Sequence, residues 1–123
     1  MAEVRQPEGE AWWTEAGAEE SSDAIMASMK LGGVDNLFFV SGSEIAFYQE
    51  SAARAREFER PSPRLVTMTH EGAALNAALG NAMVTGQPAA TAVHVDVGTL
   101  NYGGAIHTAW RGGYPVLITA GAG

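Results

Sequence analysis

Cysteine is absent from the 123 residues, which excludes disulfides and thiolate-bound zinc and fits a reducing, cytoplasmic setting. Positive charge is scarce: seven Lys and Arg face fourteen Asp and Glu, for a net charge of −7. No basic stripe exists to meet phosphates, so nucleic acid is excluded as a partner. Long apolar runs are missing as well. Nothing approaches the roughly 20 residues of a membrane span, and the polar opening Ala2-Glu-Val-Arg-Gln-Pro-Glu8 is no secretory signal. Despite 15 glycines, neither Gly-x-x-x-x-Gly-Lys nor Gly-x-Gly-x-x-Gly occurs, so no phosphate loop of either kind is encoded.

What is present is a globular composition, 46% hydrophobic, of a length that suits one domain. The acidity belongs to one end. Residues 1–23 hold seven acids against Arg5, whereas residues 24–123 hold seven acids against six bases. Residues 1–17 read as a flexible acidic leader, and the domain proper as residues 18–123. The Trp12-Trp13 pair in the leader is expected to pack onto the domain or to meet a partner, since two adjacent tryptophans suit water poorly.

The apolar pattern alternates between strand and helix. Ala18 to Leu31 reads as an amphipathic helix with Ser21 or Ser22 as cap, Ile25, Met26 and Met29 as its inner stripe, and Gly32-Gly33 as its stop. Asn36 to Val40 is a wholly apolar strand followed by the turn Ser41-Gly42-Ser43. Glu44 to Glu59 is a second helix, with Ile45, Phe47, Tyr48 and Ala52 inward, closed by Pro61 and Pro63. Arg64 to Thr69 is a strand and Glu71 to Thr85 a helix. Ala90 to Val95 is a third strand, Asn101 to Arg111 a helix, and Val116 to Thr119 a fourth strand. This βαβαβαβ order dictates an α/β fold with a parallel sheet flanked by helices.

In such a sheet the carboxyl ends of the strands form one rim, where ligands bind. That rim gathers Ser41–Ser43, His70-Glu71, Asp96–Asn101 and Thr119–Gly123. Glu71 stands where a strand hands over to a helix, and it reads either as a site carboxylate or as a first-turn acid facing the helix dipole. The helix after it is built from Gly and Ala. Two interior glycines, Gly72 and Gly80, each cost about 1 kcal/mol against alanine, and a helix keeps them where something approaches closely. His94 and Asp96 fall on one face of the expected third strand, where the carboxylate would orient the imidazole for proton transfer; the other reading is a core histidine bonded to a backbone carbonyl. His70 reads as structural, without an obvious partner, and His107 as a surface or interface residue of its helix. The spacing of the three histidines matches no zinc pattern. Ser43 is a turn serine or a substrate contact.

His70-Glu71-Gly-Ala-Ala-Leu-Asn-Ala-Ala-Leu-Gly80-Asn-Ala resembles the His-Glu-x-x-Ala…Gly-x-Ala signature of thiamine diphosphate-dependent enzymes such as acetolactate synthase and benzoylformate decarboxylase. Gly33-Val-Asp-Asn-Leu-Phe38-Phe-Val-Ser-Gly42-Ser43 is similar to the family's Gly-Val-…-Phe-Gly-x-Pro-Gly segment. His94-Val-Asp-Val-Gly98-Thr-Leu-Asn101 and Pro115-Val-Leu-Ile-Thr-Ala-Gly121 resemble its Gly-x-x-Asn…Pro-Val-Leu-x-x-x-Gly segment. The three motifs stand in the family's order over about residues 20 to 123, the stretch of its pyrimidine-binding domain.

The resemblance implies thiamine diphosphate as cofactor and a 2-oxo acid as substrate, in decarboxylation or carboligation. It implies that Glu71 hydrogen-bonds the aminopyrimidine ring and favours its imino tautomer, which removes the thiazolium proton. A carboxyl group under an aromatic ring should have a raised pKa. Gly42, Gly98 and Asn101 are implied at the cofactor, Ser43 at the substrate, and His94 as the histidine of benzoylformate decarboxylase-like members that handles substrate protons. Acetolactate synthases read Thr-Ser-Gly-Pro-Gly where this chain reads His94-Val-Asp-Val-Gly98. The family binds diphosphate and Mg2+ through a second domain with a Gly-Asp-Gly…Asn motif, which this sequence lacks, and its pyrimidine domain has about six strands against four here. The implied unit is therefore part of a site, completed by a diphosphate-binding domain of the same or another chain in a homo-oligomer. The alternatives are one subunit of a two-chain enzyme like sulfopyruvate decarboxylase, or a non-catalytic subunit-pairing domain.

Overall fold

The computed structural model describes residues 18–121. The leader 1–17 and its Trp12-Trp13 pair lie outside the described residues. Four strands, β1 (Asn36–Phe39), β2 (Arg64–Thr67), β3 (Ala89–Val93) and β4 (Val116–Ala120), form one parallel sheet in the order β2-β1-β3-β4. Five α-helices connect and flank them: α1 (Ser21–Leu31), α2 (Ala46–Glu57), α3 (Glu71–Thr85), α4 (Val95–Leu100) and α5 (Gly103–Gly112). The expected α/β architecture with its parallel sheet is what the chain adopts.

The period of two along β3 divides the core. Ala90 and Ala92 join Met26, Met29, Leu37, Phe39, Ile45 and Tyr48 on the face covered by α1 and α2. Val93 turns the other way and packs with Leu75, Leu79, Tyr102 and Ala105 beneath α3 and α5. All five residues of β3 are buried, as a central parallel strand requires. Arg54 on α2 ties that helix to α1 with two nitrogens on Asp23 and one on Glu20, at 2.9 to 3.3 Å. The Arg54 guanidinium is the main reason the Asp23 carboxyl lies below its ordinary pKa.

Several expected details shift. The first helix begins at Ser21 rather than Ala18; Glu20 holds its cap position without a side-chain cap, and Ile25 is exposed. The second helix is preceded by a 3₁₀ turn, Ser43–Ile45, and buries Tyr48 and Ser51 while Phe47 faces water. The third strand stops at Val93 instead of running to Val95. Val95 already opens α4, a helix the sequence reading did not expect, while the expected helix from Asn101 to Arg111 is α5, joined to α4 at Asn101-Tyr102.

Candidate functional site

Strand order places the topological switch between β1 and β3, whose connections run to opposite sides of the sheet. Three loops meet at that crevice: the exit of β1 through Gly42, the β3–α4 junction at His94, and the β2–α3 junction at Glu71. The structure thus brings the sequence-predicted residues into two neighbouring groups.

The first group is built on Glu71. It occupies the first turn of α3, half-buried, and Asn101 at the end of α4 donates from Nδ2 to its Oε2 at 2.9 Å. Gly98 lies against the same side chain. A Cβ there would stand 3.4 Å from Glu71 Cγ, 3.5 Å from Glu71 Oε1 and only 2.9 Å from Val93 Cβ. Gly72 is also a close approach, because a Cβ on it would lie 3.2 Å from the Asn101 carbonyl oxygen. Gly80 is not: a Cβ there meets nothing within 4 Å among the described residues. The raised pKa expected of Glu71 belongs to a carboxyl under an aromatic ring; half-buried, the group stands the other way. Its own backbone N–H, then Asn101 and the nearby His70 and His94, outweigh burial and hold the carboxyl below its ordinary value. A raised value requires an apolar cover, and at half-burial the helix-start donors win.

The second group is built on His94. It is the N-cap position of α4, not a strand residue, and Asp96 lies exposed in the first turn of that helix. The expected pairing of His94 with Asp96 along a strand is therefore replaced. The carboxylate that meets the imidazole is Glu44, whose Oε2 contacts His94 Nδ1. Gly42 makes room for the ring, since a Cβ on it would lie 3.0 Å from Nδ1. Ser43 sits beside the pair, exposed, and donates its hydroxyl to Glu44 Oε1 at 3.2 Å. The Glu44 backbone N–H, followed by His94 and Ser43, lowers the Glu44 pKa.

His70 has a partner that sequence reading missed. It caps α3, its Nδ1 accepting from the Gly72 N–H at 3.0 Å. His107 is exposed on α5, as expected. Among the described residues no group of three or more His, Cys, Asp or Glu is placed to hold a metal ion. Glu44 and Tyr102 were also missed. Glu44 was legible only as a residue at a strand's carboxyl-end turn. For Tyr102 the sequence carries no signal: it is fully buried and pairs with the Thr91 hydroxyl beneath the rim.

Known proteins resemble this chain in sequence and in fold. A family model described as the thiamine pyrophosphate enzyme, N-terminal TPP binding domain, matches residues 20–123. Benzoylformate decarboxylase of Pseudomonas aeruginosa is 41% identical over 58 residues, 47% of this chain and 11% of that protein. Among solved structures, a candidate thiamin diphosphate-dependent enzyme from Mycobacterium smegmatis superposes with a TM-score of 0.64 at 30% identity. Benzoylformate decarboxylase from Polynucleobacter necessarius superposes with a TM-score of 0.66 at 23% identity, a likeness of fold. Each covers 81% of this chain, which spans 18% of theirs. The match over residues 20–123 shows that this chain belongs to the thiamine pyrophosphate enzymes, as their N-terminal TPP-binding domain.

Proposed function

We propose that this chain is the pyrimidine-binding part of a thiamine diphosphate-dependent enzyme that decarboxylates a small 2-oxo acid or joins it to a second carbonyl compound. The observation that carries the reading is the Glu71 carboxylate at the strand–helix junction, steadied by Asn101 on one oxygen and left uncovered by Gly98 on the other side. Those residues fit the cofactor. A carboxyl group with one oxygen fixed and the other beside a Cβ-free patch can engage a ring nitrogen of a flat heterocycle, and Gly98 leaves space for it. Bound there, thiamine diphosphate supplies the electron sink for loss of the substrate carboxylate. Glu71 holds the proton shared with the pyrimidine ring. His94, at the neighbouring strand end, serves substrate protons, and Ser43 contacts the substrate at the mouth of the same crevice. Gly42 gives the clearance that the His94 ring needs and would help hold the cofactor in the same crevice.

The diphosphate and its Mg2+ would be held by a second domain of the same or another chain, and the working unit would be a homo-oligomer. The share of the solved relatives that this chain spans supports a division of labour of that kind. The histidine at position 94 supports a benzoylformate decarboxylase-like reaction over that of acetolactate synthase. No described helix is long and apolar enough to cross a membrane.

The test is Glu71→Gln in the cofactor-loaded protein, followed by exchange of the thiazolium proton with deuterium. Exchange should slow by at least the roughly 10²-fold of a lost acid–base group, with the fold unchanged. Full exchange in that variant would sink the assignment. A subunit-pairing role without catalysis is the second reading, supported by the exposed Val97, Leu100 and Trp110 on α4 and α5. It predicts association with a partner that is indifferent to both cofactor and Glu71.

A further inference from the structure

Glu44 has no role in the reading above, yet the fold is shaped around its side chain. It stands in the 3₁₀ turn after β1, 50 residues from His94 in sequence, with its Oε2 on His94 Nδ1. Two glycines clear the place of the pair, Gly42 in the loop of Glu44 itself and Gly121 in another. A Cβ on Gly121, at the exit of β4, would lie 2.8 Å from Glu44 Cβ and 3.0 Å from its Cγ. A Cβ on Gly42 would press on the imidazole it holds, 3.0 Å from Nδ1 and 3.2 Å from His94 Cβ. The pair is partly covered, with the Glu44 side chain 25% and the His94 side chain 41% exposed. Ser43 donates to the other carboxylate oxygen, so both oxygens are engaged. His94 in turn is among the groups that hold the Glu71 carboxyl of α3 below its ordinary value.

We propose that Glu44 is the positioning residue for His94, fixing its ring and placing the imidazole proton on Nδ1. The chemistry follows from the inventory of donors. An ionised carboxylate only accepts, so the Nδ1 that meets it must carry a hydrogen, and in the neutral ring Nε2 is then the bare nitrogen. Nε2 becomes the atom at which a proton is taken up or released, and the ring cannot swing away without leaving Glu44 Oε2 unpaired. The inference deepens the proposed function, on which His94's service to substrate protons rests.

Histidine labelled with ¹⁵N in the ring decides the matter, because the chain has only three histidines and His70 and His107 report whether the fold survives. In the unaltered chain the neutral His94 ring should carry its hydrogen on Nδ1. In Glu44→Met, which keeps length and removes the acceptor, the hydrogen should redistribute to Nε2 while the other two rings are unmoved. Glu44→Ala should do the same. Retention of the Nδ1 hydrogen in both variants overturns the proposal. In the assembled, cofactor-loaded enzyme, Glu44→Met should lower kcat by on the order of 10²-fold, the low end of an acid–base contribution, and add nothing to His94→Ala, since residues acting as a unit are non-additive. A full, additive loss in the double variant also overturns it. Absence of any cofactor-dependent turnover would instead refute the proposed function, and the nitrogen spectrum would still decide the place of the hydrogen.

Discussion

Thr91 is fully buried, and its hydroxyl and its carbonyl oxygen both take side-chain partners. Its hydroxyl pairs with the Tyr102 hydroxyl, and its carbonyl oxygen accepts from Thr119 Oγ1 at 3.2 Å. Thr119 Oγ1 in turn accepts from the Tyr48 hydroxyl at 3.1 Å. Two tyrosines from opposite faces of the sheet are thereby linked through β3 and β4, directly under the Glu71–His94 crevice. Each of these groups would be costly to bury alone. Burial, offset in part by Thr91 and aided by the negative charge of Glu71, pushes the Tyr102 pKa up to about 12 from 10.0. The folded value lies above the unfolded one, so the contribution of Tyr102 to stability is complete below pH 10 and disappears as pH rises toward 12. Tyr102→Phe leaves the Thr91 hydroxyl unpaired and should cost about 1–2 kcal/mol at neutral pH. It should also remove that part of the alkaline fall in stability between pH 10 and 12. Urea unfolding at pH 7 and along that window measures both, and an equally steep alkaline fall in the variant would refute the assignment.

At the scale of elements, α3 carries the packing and the site together. Most of its alanines turn inward and only Ala73 is exposed, unlike an interface helix of Gly and Ala. Ala74, Ala78 and Ala82 are buried against β1 and β3 alongside Leu75 and Leu79, and Met83 and Val84 are exposed instead. Small residues meet across that layer, since Ala89 and Thr91 of β3 share the Val93 face of the sheet, and helix and sheet draw together. Ala78 is 0% exposed, so Ala78→Leu has no room to enter and should cost about 1–3 kcal/mol. Gly80→Ala goes the other way. The added methyl meets nothing among the described residues, and the helix should gain about 0.5–1 kcal/mol. Thermal unfolding of the two variants should move in opposite directions; a destabilised Gly80→Ala would mean that something else covers that face.

The same helix shows how far the sequence could be read. The β2–α3 junction was legible because the pattern changes abruptly at His70-Glu71, from a β-branched run to strong helix formers. The β3–α4 junction was not, because Val95 and Val97 continue the apolar, β-branched character of the strand across His94 and no local residue marks the turn. That misreading moved Asp96 onto the wrong element and gave His94 the wrong carboxylate. Its actual partner, Glu44, is 50 residues away, and only the order of strands in the sheet brings β1 and β3 side by side. Period and composition locate elements, whereas contacts between their ends depend on a topology they do not encode.

For the whole molecule, the decisive feature is what the fold leaves uncovered. Trp110 is 85% exposed, Leu100 80% and Val97 65%, and Ile106 and Trp110 lie one helical turn apart on α5. Among the described residues the two outer strands of the sheet are unequal. β2 begins with the exposed Arg64 just after Pro63, the kind of charge and proline that blunt an edge, whereas β4 reads Val-Leu-Ile-Thr-Ala without a charge and exposes Leu117 and Ile118. Residues 1–123 should therefore self-associate at tens of micromolar, about the range where exposed folding surfaces meet. Two substitutions separate the two surfaces. If the helical face forms a discrete oligomer, Trp110→Asp abolishes it, because a charge in the centre of an apolar contact would lose its water. If the free edge of β4 drives open-ended addition of strands, Leu117→Lys suppresses it and Trp110→Asp does not. Sedimentation velocity distinguishes a bounded species from a continuous series, and a stable monomer of the unaltered chain would show that neither surface drives association.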